Sequence, residues 1–525
     1  MMGRSGAQHA ERPAGPPAGL DLGRASGRLF FGTVLLSAAS ISKLALQLVL
    51  IPILAHLLGP SIFGLMSIAM SFVLLANMLS DGGMGAALVR EEHPDRDLES
   101  TVYWLSVLIG IVLAALVCLV SWPLSILYAQ PGLALVLCAL SPILILSANI
   151  SVANAHIVRS QRFDLFAAGD FGCSVLSAAA GIAMAYHGFG IWSLVVQQLL
   201  LWTTKAGWVS SVSRFRPKFV LKLKLARPLF RFSANNLAAS VADFAGKSAP
   251  VLIVGGLLGV SAAGHYSMAY QLTRIADMVV SNPVNLATFS AVAVAANRHA
   301  AASFVLTALR ILVLVLMPLF CGLALTANLL SPVLLGQKWL GTAPALAALA
   351  PGAFFMCLFG FVTAALLGKG RSGRVFKLTL LTGAATAIGT CVGVRYGVTG
   401  AALGFSLGAT VMAPFYLSSL ARPMHLPISR LLSATTTGLV ATGAMTCAVL
   451  LLRSQIAALS PIQQLAATIA AGALAFAATT ALMGGRQIRD DIEKLRRRTP
   501  EEPGSVPEAW QFLPPDSKSQ NPMSG

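Results

Sequence analysis

From about residue 31 to residue 483 the chain alternates apolar stretches of about 20 residues, nearly free of charge, with connectors that are mostly short. Few environments suit such a pattern. In hydrocarbon every backbone N–H and C=O must be bonded within the protein, and a segment of this length achieves that as a helix crossing the bilayer. Only 11% of the 525 residues are charged and 56% are hydrophobic, whereas soluble domains carry roughly 25% charged residues. That balance excludes a soluble globular fold, and so much apolar residue excludes a disordered chain. The expected fold is an all-α polytopic membrane protein of about fourteen helices. The spans fall near 31–57, 62–89, 98–120, 133–154, 166–186, 190–210, 232–257, 262–290, 303–327, 343–367, 376–394, 400–420, 431–451 and 462–483.

An even number of spans puts both termini on one side, and the 37 Lys and Arg residues divide accordingly. Lys338, Arg395 and Arg453 fall in the opposite connectors, and Lys43, Lys205, Lys247, Arg274 and Arg310 fall within spans. All the others lie on the side of the termini, which are therefore expected in the cytoplasm. The densest basic run, Arg214 to Arg231, sits between two spans with Phe and Leu interleaved. That placement points to anionic lipid headgroups and away from nucleic acid. Residues 1–28 are rich in Gly, Pro and Arg and run into the first span without a small-residue cleavage site, so they read as a retained, disordered tail. Residues 486–525 form a second cytoplasmic tail. The seven cysteines lie inside apolar stretches without a CxxC pair, so neither a disulfide framework nor a metal site is expected.

The segment LLGPSIFGLMSIAM at 57–70 recurs as LLGVSAAGHYSMAY at 257–270. Nine positions of 57–79 match at an offset of 200, among them Gly59, Ser61, Gly64 and Ser67 with Gly259, Ser261, Gly264 and Ser267. Six spans therefore occur twice in the same orientation, giving two parallel lobes around a central cavity. The expected organisation is an N-lobe over 29–210, a basic linker over 211–231, a C-lobe over 232–420 and two extra spans over 421–485. The second span breaks at Asp81-Gly82-Gly83, and its repeat breaks at Ser281-Asn282-Pro283 at the same offset. Interrupted helices at corresponding positions point to a binding or gating region.

Polar residues also form stripes within the spans. Asn236, Ser240, Asp243 and Lys247 lie on one helical face, Ser40, Lys43 and Gln47 occupy the repeat-related face, and Tyr266, Tyr270, Arg274 and Asp277 follow in the next helix. A charge at mid-bilayer costs ~2.5–3.5 kcal/mol, so these residues require a wet cavity or a partner. Asp243 with Lys247 and Arg274 with Asp277 could simply neutralise each other, whereas Lys43 has no acid in its own span. Lys205, Asp170 and Arg310 lie nearer the helix ends, where long side chains snorkel. His187 and His265 fall at external helix ends and read as structural.

No Walker loop, metal cluster or long external loop provides catalytic apparatus, so translocation is expected and not bond making. The segment Leu57 to Arg90, with its LLGP, FGL and Asp-Gly-Gly textures, closely resembles bacterial polysaccharide transporters, the Wzx-type flippases of the multidrug/oligosaccharidyl-lipid/polysaccharide exporter superfamily. The turns Tyr186–Gly190 and Tyr396–Gly400 resemble that family too. The resemblance spans roughly residues 29–485 and implies flipping of undecaprenyl-diphosphate-linked oligosaccharide units across the bacterial cytoplasmic (inner) membrane. It also implies a polysaccharide polymerase and co-polymerase as partners, and no cofactor. A cation-lined cavity for the diphosphate would draw on Lys43, Lys247, Arg274 and Arg310, ion coupling on Asp243 and Asp277, and gating on Asp81, Gly82, Gly83, Asn282 and Pro283. The alternatives are a lipid II or small-molecule exporter of the same superfamily, an integral membrane polymerase or ligase, and a scaffold. The surplus of cavity bases and the additional two spans separate the chain from drug exporters.

Overall fold

The computed structural model describes residues 22–81, 96–159, 163–213, 216–220, 222, 240–241, 243–244, 246–295, 298–424, 426–456 and 458–496. Among them there are helices, turns and short connectors, and no strand. The first lobe contains α1 (Leu22–Leu57), α2 (Pro60–Asp81), α3 (Arg96–Leu127), α4 (Pro131–Leu140), α5 (Pro142–Arg159), α6 (Phe163–Tyr186) and α7 (Ile191–Ser213). The second contains α8 (Gly246–Leu258), α9 (Val260–Ala276), α10 (Asn282–Val294), α11 (Arg298–Leu335), α12 (Thr342–Gly368), α13 (Ser372–Gly393) and α14 (Gly397–Met424). The last pair is α15 (Ile428–Arg453) and α16 (Pro461–Arg496), and it packs on α11, where Gly438 lies against Val313 and Cys321 meets Thr446 at 3.2 Å.

Ten stretches among the described residues are long and apolar enough to cross a membrane. One of them, Ser372–Met424, folds in two at the turn Val394–Tyr396. Helix α7 falls below that criterion because Gln197, Gln198, Thr203, Thr204 and Lys205 dilute it, and α9 because of His265, Gln271, Thr273 and Arg274. The chain is thus a multi-pass membrane protein, while the expected total of about fourteen spans is not fixed by length and apolarity alone.

The element bounds depart from expectation in three places. Helix α1 begins at Leu22, so residues 22–28 belong to a helix and not to a disordered tail. An existing helix propagates into such residues far more readily than a new one nucleates. Helix α16 likewise runs on to Arg496, beyond the expected boundary at 485. The fourth span divides at Ser141 into α4 and α5, because Pro142 cannot donate a backbone hydrogen bond.

Small residues set the closest helix packing. Gly389 and Gly393 of α13 face Gly404 and Gly400 of α14, and Gly408 faces Ala385. A Cβ at any of these glycines would meet the opposing main chain, which is how small residues at four-residue spacing bring membrane helices together. Replacing Gly404 with Leu should separate α13 from α14 and lower stability by about 1–3 kcal/mol, as overpacking does elsewhere. A thermal midpoint in detergent equal to that of the unchanged protein would contradict this packing.

Candidate functional site

The two lobes meet through repeat-related residues. A Cβ on Gly64 would collide with Val260 O and the Gly264 backbone, and a Cβ on Gly264 would collide with Pro60 O and Gly64. Both contacts link partners at the 200-residue offset, so α2 and α9 cross about a local two-fold axis. Glycine is required at both positions because the main chains themselves touch.

Other contacts between the lobes gather at the same end of the bundle. Trp339 Nε1 donates to Ala55 O at 2.9 Å, and the Trp339 ring meets Phe63 edge-on at 5.3 Å. Tyr128 Oη donates to Leu252 O at 3.3 Å. His265 bonds Thr342 at 2.9 Å beneath Trp339, in keeping with its structural reading. Apolar packing continues across the seam, with Ile51 and Ala55 joining a second-lobe core and Ala263 joining a first-lobe core. These residues close the end that carries the connectors at 58–60, 187–190, 259 and 336–341.

The charged groups lie deeper. Along each helix from that end, Lys43, Asp170, Lys205, Arg274 and Asp277 sit roughly 21–26 Å in, at about 1.5 Å per residue. In the first lobe three helices converge on Asp170. Lys43 Nζ of α1 donates to Asp170 Oδ2 at 2.9 Å, and Lys205 Nζ of α7 stands 2.7 Å from Asp170 Oδ1. Lys43 therefore has an acidic partner, supplied by α6 and not by its own helix. The pairing also moves Asp170 and Lys205 from helix-end residues into the charged layer. Sequence spacing gave no sign of this, because the three helices are brought together only by packing. Gly169 makes it possible: Trp208 lies directly over the glycine, donating Nε1 to Leu165 O at 3.0 Å, and α6 and α7 approach closely enough for the pair beside it.

In the second lobe Lys247 Nζ donates to Asp243 Oδ2 at 2.7 Å, so that pair does neutralise locally. Arg274 and Asp277 do not form an ion pair with each other within 4.0 Å among the described residues. Arg274 is exposed, and with Asp277 and Asp243 it lies within electrostatic reach of the Tyr270 phenol. Arg310 stands apart from this layer, roughly 37 Å from the closed end by the same helical rise. Of the expected cations, then, Lys43 and Arg274 share the interior level, Lys247 lies about one turn nearer the closed end by the same rise, and Arg310 stands far from it.

The expected break in the eighth span takes the form of a π-turn over Asp277–Ser281, closed by Asn282 N–H to Asp277 O and followed by Pro283 in the first turn of α10. A wide turn of this kind is frequent at functional sites. Helix α2 is described as far as Asp81, and Gly82 and Gly83 lie outside the described residues.

At the other end of the bundle the basic connector lies along α3. Lys222 Nζ donates to Asp97 Oδ2 at 2.6 Å, Lys218 N–H to Ser100 Oγ at 3.1 Å, and Trp104 Nε1 to Lys218 O at 2.9 Å. Phe219 stacks on Trp104 at 4.8 Å. One turn away, buried Glu99 pairs with His156 Nε2 of α5 at 3.0 Å.

Two lobes of helices packed about a pseudo-two-fold axis, with charges inside, define a polytopic membrane transporter fold. The chain belongs to the polysaccharide biosynthesis protein family, whose profile matches residues 53–344. It is 28% identical to the succinoglycan biosynthesis transport protein ExoT of Rhizobium meliloti over 65% of this chain and 69% of that one. It is 23% identical to the lipopolysaccharide biosynthesis protein WzxC of Escherichia coli over 65% of this chain and 70% of that one. Its fold is that of the lipid II flippase MurJ in an inward closed conformation, with a TM-score of 0.72 at 15% identity over 87% of this chain and all (100%) of that one. An inward-facing multidrug resistance transporter of the MATE family gives a TM-score of 0.60 at 16% identity, over 76% of this chain and 99% of that one.

The glycine crossing generates a prediction. Gly64→Leu or Gly264→Leu should hold the lobes apart at the closed end and lengthen the distance between spin labels placed at Ser61 and Ser261. An unchanged distance distribution would show that the lobes seal without this contact.

Proposed function

We propose that the protein flips undecaprenyl-diphosphate-linked oligosaccharide units across the bacterial cytoplasmic membrane, for assembly into exopolysaccharide, capsule or O-antigen. The observation that carries this reading is the group of interior cations, Lys43 and Lys205 in one lobe and Arg274 in the other with Lys247 about a turn nearer the closed end, inside a fold sealed at one end. A diphosphate bearing a glycan cannot cross hydrocarbon unaided, because neither its charges nor its hydroxyls would find partners there. Cations facing a wet interior replace bulk solvent for the phosphates, with Arg274 as a fork and the lysines as point charges. The polyprenyl tail stays in lipid. No step in this cycle makes or breaks a bond of the substrate, so the protein acts as a transporter and not as an enzyme.

With both termini cytoplasmic, the end closed by Gly64, Gly264 and Trp339 faces the periplasm. The substrate then enters from the cytoplasmic leaflet and leaves when that contact parts, in alternating access. The π-turn and Pro283 supply a place for α9 and α10 to flex, and Asp81, Gly82 and Gly83 are assigned the matching role in the first lobe. Asp243 and Asp277 are assigned to ion coupling, the first exchanging Lys247 for a proton or cation. The connector at 216–222 rests at the cytoplasmic surface, where its remaining bases meet anionic headgroups. Polymerase and co-polymerase act on the flipped product.

The test is to deplete cells of the protein and measure lipid-linked oligosaccharide in each leaflet. Build-up in the cytoplasmic leaflet, relieved by the unchanged protein and about tenfold less by Arg274→Ala at equal membrane abundance, is the expected result. Intact surface polysaccharide without build-up would turn the assignment toward lipid II or another cargo. The coupling assignment has its own check. Asp243→Asn combined with Asp277→Asn should abolish the dependence of flipping on the proton or sodium gradient, and retention of both rate and dependence would remove these residues from coupling.

A further inference from the structure

Lys43, Asp170 and Lys205 do not balance. Two cations from different helices share one carboxylate, at 2.9 and 2.7 Å, and one positive charge is left over. Charges in the bilayer interior pair with partners or face water, and a surplus cation held there without further purpose is unfavourable. The group is only partly buried, with side-chain exposures of 43% for Lys43, 24% for Lys205 and 21% for Asp170, so an incoming anion can reach both amines. Lys205 also rests over the Phe166 ring at 5.8 Å, a weak cation–π contact that orients it and leaves its charge unneutralised. In the second lobe, by contrast, Asp243 and Lys247 stand one to one within a single helix and leave no surplus.

We infer that Asp170 is a built-in competitor for the substrate diphosphate: its carboxylate holds the place between Lys43 and Lys205 that the diphosphate takes. This rests on the flippase reading and adds to it a specificity-determining residue. The chemistry is one of charge and geometry. A diphosphate esterified at both ends carries one negative charge on each phosphorus, which matches the two ammonium groups once the carboxylate has withdrawn. A phosphodiester headgroup, with its single negative charge, exchanges one anion for another and gains little. The carboxylate therefore favours the diphosphate over singly charged anions, including ordinary headgroups. It also keeps two like charges at a common spacing when no substrate is bound, and its return helps to expel the substrate, so that binding never becomes too tight for turnover.

The experiment uses the full-length protein in nanodiscs of neutral lipid, with inorganic pyrophosphate, undecaprenyl diphosphate and a singly charged dialkyl phosphate as probes. Asp170→Asn should bind pyrophosphate and undecaprenyl diphosphate about tenfold tighter, narrow the preference over the dialkyl phosphate, and slow flipping. Lys205→Met should weaken binding about tenfold, and Lys205→Arg should restore it. In the Lys205→Met background Asp170→Asn should have a smaller effect, because the two residues act on the same anion. Asp164→Asn, which removes an exposed acid from the same helix, should leave affinity unchanged. Unchanged or weaker binding by Asp170→Asn, with flipping by the unchanged protein intact, would overturn this inference alone, as would an equal gain from Asp164→Asn. If excess phosphatidylglycerol erased the gain, the site would be one for bulk headgroups and the inference would fall. If Asp170→Asn did not fold, the Lys205→Met and Lys205→Arg pair would decide. The absence of pyrophosphate and undecaprenyl diphosphate binding by the unchanged protein, together with absent flipping, would overturn the flippase reading and this inference with it.

Discussion

A charge or an unbonded peptide group in hydrocarbon must find its partner inside the protein, and this requirement orders the whole molecule. Peptide groups are satisfied within helices, so the helices can associate only through packing and through their few polar groups. Glycine supplies the packing where main chains touch, at Gly64 with Gly264 and again at Gly389, Gly393, Gly400 and Gly404. Lys43, Asp170, Lys205, Asp243 and Lys247 lie within about two helical turns of one depth, where they pair across helices or along the chain. A mobile transporter needs both features. Close packing forms a seal that can part as a unit, and paired charges remain available to an incoming ion.

The repeat explains why the seal lies on the two-fold axis. Residues related by the axis approach it reciprocally, so one small residue occurring in both copies forms both halves of the contact. The charges have diverged from that symmetry. Lys43 occupies the position related to Asp243, yet it pairs with Asp170 five helices further along the chain, while Asp243 pairs with Lys247 four residues away. One lobe carries surplus positive charge in this cluster and the other is locally neutral. Such an asymmetry suits a substrate with its anionic group at one end and uncharged sugars at the other.

Much of the architecture was legible in the sequence because it follows from local composition. Apolar lengths mark the spans, Gly64 and Gly264 stand in matching segments, and Pro283 marks the place where α9 and α10 deform. The charged layer was legible only in part. Lys43, Lys247 and Arg274 declare themselves as charges within apolar stretches, but the Asp170 pairing depends on Gly169 admitting Trp208, a contact between helices that no spacing within one helix encodes. Among the described residues Arg274 and Asp277, which could have neutralised each other, form no ion pair with each other. Helix ends were misplaced at Leu22 and Arg496 because hydropathy marks where lipid ends and says nothing about where hydrogen bonding ends.

The connector between the lobes shows how the fold divides its motion. Although it joins α7 to the second lobe, residues 216–222 are bound to α3 of the first by Lys222 with Asp97, by Ser100 and Thr101, and by Trp104 with Phe219. The described part of the connector is therefore anchored to the first lobe. The same first turns of α3 hold Glu99 against His156, so the connector, α3 and α5 form one rigid corner. With the glycine crossing at the opposite end, each lobe can turn as a body. The charged layer lies between those two fixed points, at the depth where exposure changes from one side of the membrane to the other.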